Sequence, residues 1–264
     1  AKISEKAVQM PASAIRKLVP FADAAKKQGV KVYHLNLGQP DIKSPVCALD
    51  AVRNYSLENV SYSHSAGLME LRKGLVEKYY RKIGIDLTVD ELIVTVAGSE
   101  SVNLALEITC NPGDEVIVLE PFYTNYNTFA FMNGLTLKAI PTDIRNGFQI
   151  PPIEEFEKAI TDKTKAILVC NPGNPTGTQY SKESMLALGE IARKHDLFLL
   201  SDEVYREFCY TDEPHFSAMN IPGLEQNVVL IDSVSKRYNL CGARVGCIVS
   251  HNKDVMTAAM KFAQ

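Results

Sequence analysis

From residue 91 onward the chain repeats one pattern, a short apolar run rich in β-formers followed by a turn and a longer helical stretch. The runs are ELIVTV (91–96), EVIVLE (115–120), LTLKAI (135–140), KAILVC (165–170), LFLLS (197–201), VVLID (228–232) and RVGCIVS (244–250). They lack the strict polar/apolar alternation of a strand with one wet face, so both faces have to be covered. The cover is at hand in SESVNLALEITC (99–110), IEEFEKAI (153–160) and KESMLALGEIARKH (182–195), which carry helical periodicity. The pattern predicts an α/β domain with a mostly parallel, seven-stranded sheet and helices on both faces. Ligands of such sheets bind beyond the carboxyl ends of the strands, so the loops found there are the ones to read for chemistry.

Ahead of the sheet lie an amphipathic stretch (13–29) that Pro20 is expected to kink or divide, the run VYHLNLGQPD (32–41), and helical patterns near 45–57 and 67–82. The final residues, DVMTAAMKFAQ, read as a helix still running, without Gly or Pro to stop it.

Charge and cysteine usage narrow the partners. A net charge of −3 with both signs interspersed offers no basic face for nucleic acid and no polybasic membrane anchor, so small molecules are the expected partners. No apolar run approaches membrane-spanning length and the first residues lack a secretory signal, so the expected location is cytoplasmic. Six cysteines without a CxxC pair and five histidines without HExxH indicate neither a disulfide framework nor a metal site.

Four loops stand out. AGSES (97–101) reads first as an ordinary strand-to-helix turn with Ser99 as N-cap, but its free N–H groups at a helix start also suit a phosphate. NPGNPTG (171–177) has two Asn-Pro steps and two glycines, a rigid turn that would hold the Asn174 side chain at a fixed angle. SDEVY (201–205) sets Asp202 at a strand end, as an N-cap or as a buried carboxylate that needs a partner, with Tyr205 one turn on. SVSKRYNLCGARVG (233–246) brings Ser233, Lys236 and Arg244. Lys236 can snorkel to the surface. Desolvated beside Arg237 or Arg244, it would instead be an amine nucleophile of lowered pKa.

Together these loops offer phosphate donors, an acid, a phenol, an amide and a lysine at one sheet edge, which is what pyridoxal phosphate requires. The motifs LNLGQPD, YSHSAGLMELR, VTVAGSE, PFYTNY, NPGNPTG, SDEVY and SVSKRYNLCGARVG, in this order, resemble the class I, aspartate-aminotransferase-like enzymes of the fold-type-I pyridoxal phosphate group. The resemblance implies that Lys236 bonds the cofactor aldehyde and later moves the substrate proton, that Asp202 keeps the pyridine nitrogen protonated, and that Asn174 and Tyr205 bond the ring oxygen. It further implies Tyr123 stacked on the ring, a phosphate held by Gly98, Ser99, Ser233 and Arg244, and Gly38 with Asn174 near the substrate carboxylate. Tyr62 would reach the phosphate of a neighbouring subunit, which makes a homodimer the expected assembly. Residues 1–36 correspond to an N-terminal arm and part of a small domain, and 37–264 to the cofactor-binding large domain. A further C-terminal small-domain segment, with an arginine for the substrate α-carboxylate, is expected to lie outside this chain. Ala97 departs from the Gly or Ser of many relatives.

The expected reaction is amino transfer between an L-amino acid, aspartate first among the candidates, and a 2-oxo acid such as 2-oxoglutarate. A β-lyase or synthase on the same fold would keep nearly every residue named, and a non-catalytic cofactor-binding module remains an alternative. Ser233-Val-Ser-Lys236 also fits the S-x-x-K of serine acyl-enzymes, but the SDN and KTG partners of that motif are missing.

Overall fold

Each of the seven apolar runs coincides, to within a residue or two at its ends, with a strand, and all seven strands join one sheet. In the computed structural model, which describes every residue except 14, 37, 39 and 57, these are β1 (Leu92–Thr95), β2 (Glu115–Glu120), β3 (Thr136–Pro141), β4 (Thr164–Cys170), β5 (Phe198–Asp202), β6 (Val228–Ser233) and β7 (Gly246–Val249). Two positions of the LNLGQPD motif, 37 and 39, thus lie outside the described residues. The order across the sheet is β1-β7-β6-β5-β4-β2-β3, and every pairing is parallel except those of β7, which runs antiparallel to both β1 and β6.

Both faces of the inner strands are covered, which is why their runs are mostly apolar; the edge strand β3, with Thr136 and Lys138, is more exposed. On one face Val116, Val118, Leu168, Val229 and Ile231 pack with Val102, Leu106, Tyr126 and Met256, which belong to the helices Ala97–Thr109, Asn125–Asn133 and Lys253–Phe262. On the other face Ile117, Ile167, Leu199 and Leu230 meet Tyr80, Phe156, Met185 and Leu188. Successive strand residues alternate between the two clusters, as a pleated strand requires. β6 is buried at every position, and that run includes the polar Asp232 and Ser233. Among the described residues no helix is long and apolar enough to cross a membrane.

Local geometry departs from the sequence pattern in four places. The helix after β1 starts at Ala97, so Ser99 lies in its first turn and is not its N-cap. Ala97 takes a left-handed backbone (φ 62°) to make that turn. Tyr205 sits in a turn, and no helix directly follows β5. β6 ends at Ser233, so Lys236 is carried by a four-residue helix, Val234–Arg237. Pro20 stands in the first turn of the helix Val19–Lys27, where its missing N–H costs nothing, and the division falls before it, at the 3-10 turn Arg16–Leu18.

Candidate active site

The loops at the carboxyl ends of β1, β2, β4, β5 and β6 surround a cavity of about 550 Å³. Gly98 and Ser99 enter from the loop after β1, Tyr123 from that after β2, and Asn174 from that after β4. Asp202 and Tyr205 come from the end of β5, and Ser233 and Lys236 from β6 and its following turn. Arg244, just before β7, and Gly38, from the N-terminal segment, complete the wall. Tyr62 is the one expected site residue outside this cavity; its side chain is fully exposed.

Asp202 is the last residue of β5 and is 5 % exposed. Its Oδ2 accepts a hydrogen bond from the Tyr126 hydroxyl at 2.7 Å, so its partner is a phenol, and the N-cap contact with the Val204 N–H is long, at 3.4 Å. Burial lifts the carboxyl from its ordinary 3.8 to about 6, against the pull of the Tyr126 hydroxyl. Asn174 Nδ2 donates to the Tyr205 hydroxyl oxygen at 3.1 Å. Burial pushes the Tyr205 phenol upward, so it keeps its own hydrogen to donate into the cavity.

The Lys236 amine is half-buried, donates to the Gly38 carbonyl at 2.8 Å and lies 5.9 Å from the Tyr205 ring centre. Its neighbour Arg237 turns away, toward Asp232, and does not share the cavity. Ser233 Oγ starts the lysine-bearing turn by accepting from the Ser235 N–H (3.1 Å).

One end of the cavity is a cluster of hydrogen-bond donors. The first turn of the helix Ala97–Thr109 has N–H groups without intrahelical acceptors, and no side chain caps them. The Ser99, Ser233 and Ser235 hydroxyls and the exposed Arg244 guanidinium share this wall. The backbone packs closely here. A Cβ at Gly98 would come within 3.3 Å of Val204 Cγ1, and one at Gly246 would lie 2.5 Å from the Ala97 carbonyl carbon and 2.8 Å from the Asp232 carbonyl oxygen. This donor set suits a phosphate dianion. The amine of Lys236 suits an aldehyde, and the buried Asp202 carboxylate suits a protonated ring nitrogen. The residues present therefore fit pyridoxal phosphate.

Three contributors carry no strand-end signal in the sequence. Tyr126, partner of Asp202, and Asn125, which donates to the Tyr123 hydroxyl at 2.7 Å, both lie on the helix Asn125–Asn133. The spacing of three between Tyr123 and Tyr126 is the only trace of their helical neighbourhood. Arg16 reaches the cavity wall from the N-terminal 3-10 turn.

The family model for aminotransferase class I and II matches residues 30–264. The chain is 37 % identical over 266 residues to the putative aminotransferase YugH of Bacillus subtilis, covering 99 % of this chain and 67 % of that protein. It is 33 % identical over 261 residues to the aspartate aminotransferase of Thermotoga maritima, covering 98 % and 68 %. Among solved structures, the aspartate aminotransferase of Thermus thermophilus with maleate superposes with a TM-score of 0.89 at 32 % identity, covering 100 % of this chain and 68 % of that one. The chain thus spans about two thirds of the length of these relatives.

Proposed function

The chain belongs to the class I and II aminotransferase family, and from that premise we propose that it binds pyridoxal phosphate and moves an amino group between an L-amino acid, aspartate in the first place, and a 2-oxo acid such as 2-oxoglutarate. The observation that carries this reading is the convergence on one cavity of a lysine amine, a buried carboxylate, an Asn–Tyr pair and an uncapped helix start.

When bound, the cofactor supplies an electron sink for charge developing at the substrate α-carbon. The chain's own residues hold, orient and protonate. Lys236 would hold the cofactor through its aldehyde and, with its amine free, would carry the proton to and from the α-carbon. Asp202 holds the proton on the ring nitrogen; its burial leaves it without a cation of its own, and a pyridinium answers that need. Tyr205, oriented by Asn174, donates to the ring oxygen. Gly98, Ser99, Ser233 and Arg244 hold the phosphate, Tyr123 flanks the ring, and Gly38 and Asn174 lie toward the substrate carboxylate. Tyr62, unused in its own subunit, serves the site of a second copy in a homodimer. A cytoplasmic setting accords with six free thiols.

Aspartate is favoured by two relatives of that name and by Arg16. With Lys236 engaged at the aldehyde and Arg244 at the phosphate, Arg16 is the cation on the cavity wall left for a side-chain carboxylate, and among the described residues it makes no ion pair. The test is an amino-donor panel on the cofactor-loaded, full-length protein, with both half-reactions followed through the visible absorbance. Aspartate and glutamate are expected to convert the chromophore and 2-oxoglutarate to restore it; no conversion by any amino acid would overturn the reading. Arg16→Met should lower kcat/KM for aspartate by about 10- to 100-fold, the worth of a charged hydrogen bond, and leave alanine nearly unaffected. Equal losses for the two donors would remove Arg16 from this role.

A further inference from the structure

Behind the cavity, between the sheet and the segment 69–83, lies a buried charge cluster that the chemistry above does not use. Asp232, 1 % exposed, accepts hydrogen bonds from the Tyr80 hydroxyl (2.8 Å), from the Ser233 N–H (2.7 Å) and from Arg237, whose Nη2 lies 2.6 and 2.7 Å from its two oxygens. The Arg237 guanidinium carbon sits 3.8 Å from the centre of the Tyr79 ring, and the Tyr79 hydroxyl is anchored on Glu207 at 2.7 Å. Tyr79 and Tyr80 are delivered together where a π-helical turn, Gly74–Tyr79, passes into the 3-10 turn Tyr80–Ile83.

This cluster bears directly on Lys236. A helix of four residues has too few internal hydrogen bonds to hold its own geometry, so its ties at either end set it. Asp232 immediately precedes the Ser233 cap, and Arg237 is the last helical residue. Their ion pair closes the turn into a ring on the buried side, and Lys236, one of the four residues enclosed by it, is left to project on the opposite side, toward the Gly38 carbonyl. A buried ion pair is a poor device for stability, because desolvation offsets most of its attraction. Geometry is what this one supplies.

We propose that Asp232 and Arg237, seated on the Tyr79 ring, are positioning residues that hold the Lys236 amine in the orientation that captures the cofactor aldehyde. The inference rests on the reading of Lys236 given above. The variant Asp232→Asn/Arg237→Gln tests it, since both amides keep hydrogen-bonding capacity at the Ser233 N–H and across the pair while no charge is left buried alone. The apoprotein is titrated with pyridoxine 5′-phosphate, which has the ring and phosphate but no aldehyde, and separately mixed with pyridoxal phosphate. In the second case the neutral Lys236 amine adds to the aldehyde carbon and the aldehyde oxygen leaves as water as the C=N bond forms, without oxidation or reduction, and the visible absorbance reports its rate.

The double variant should bind pyridoxine phosphate like the unaltered protein but capture pyridoxal phosphate about ten- to a hundredfold more slowly, the cost of ångström-scale misplacement of a reacting group. Tyr79→Leu removes the ring beneath Arg237 and leaves the ion pair intact; it should slow capture in the same sense, and it serves where the double variant does not fold. Unchanged capture rates, or a parallel loss of pyridoxine phosphate affinity and capture rate, would overturn the proposal. A failure of the unaltered protein to capture the aldehyde would overturn the reading of Lys236 itself, and this inference with it.

Discussion

Asp202 is an acid whose surroundings prefer it protonated when the cavity holds no cation. The folded chain keeps that proton up to about pH 6, whereas the unfolded chain releases it near 3.8. The folded state therefore binds more protons across this window, and the stability contributed by the group falls as pH rises from about 4 to about 6. Two pH units of difference amount to roughly 3 kcal/mol. Without cofactor, Asp202→Asn should match the unaltered protein near pH 4 and gain on it by up to that amount at pH 7, as read from urea midpoints; a difference independent of pH would show that Asp202 is not held this way. Loading with cofactor should reverse the order at pH 7, because a protonated ring nitrogen returns the missing cation. Lys236 admits a direct chemical test. Borohydride treatment of the cofactor-loaded protein should fix the adduct on Lys236 and nowhere else by peptide mapping, and Lys236→Ala should abolish it. An adduct on another lysine would remove Lys236 from its role.

At the scale of elements, the site depends on how closely the turn at Ala97 approaches the start of β7. Gly246 pairs with both Thr95 and Ser233 across the sheet, and any Cβ there would strike the Ala97 backbone. Backbone cannot step aside as a side-chain tip can, so Gly246→Ala should cost about 1–3 kcal/mol of stability and shift the helix start that lines the cavity. Thermal unfolding and cofactor titration would register both; an unchanged variant would show that the turn is not braced there. This contact also marks where sequence reading stops. Strands covered on both faces are legible because little that is polar interrupts them, and the candidate site residues are legible because an aspartate ends such a run at β5 and a lysine follows another shortly after β6. Strand direction leaves no such mark, so β7 gives no sign in sequence that it runs antiparallel. The left-handed turn at Ala97 is equally silent, since an alanine there promises none. Tyr126 and Arg16 escape for a related reason: they approach the cavity from a helix and a 3-10 turn, whose facing is decided by packing.

Across the whole molecule, exposed apolar surface is concentrated in the N-terminal segment. The helices Glu5–Gln9, Val19–Lys27 and Val46–Arg53 have no buried residue, although the last two are amphipathic. Large side chains such as Phe21, Leu35, Val52 and Val60 stand 74–96 % exposed in the same part of the chain that bears Tyr62. Apolar surface gathered in this way asks for cover from another polypeptide surface. If a second copy supplies it, each Lys236 works beside the Tyr62 of the partner. Lys236→Ala and Tyr62→Ala subunits, each defective alone, should then complement when mixed: the hybrid dimer pairs an intact Lys236 with an intact Tyr62 in one of its two sites and spoils the other twice over. Cofactor retention and amino transfer after dissociation and reassociation should exceed the average of the two parent variants, and sedimentation should show dimers throughout. Activity equal to that average would place Tyr62 outside the shared site, and a monomeric protein with full cofactor affinity would show that the exposed face is covered in some other way.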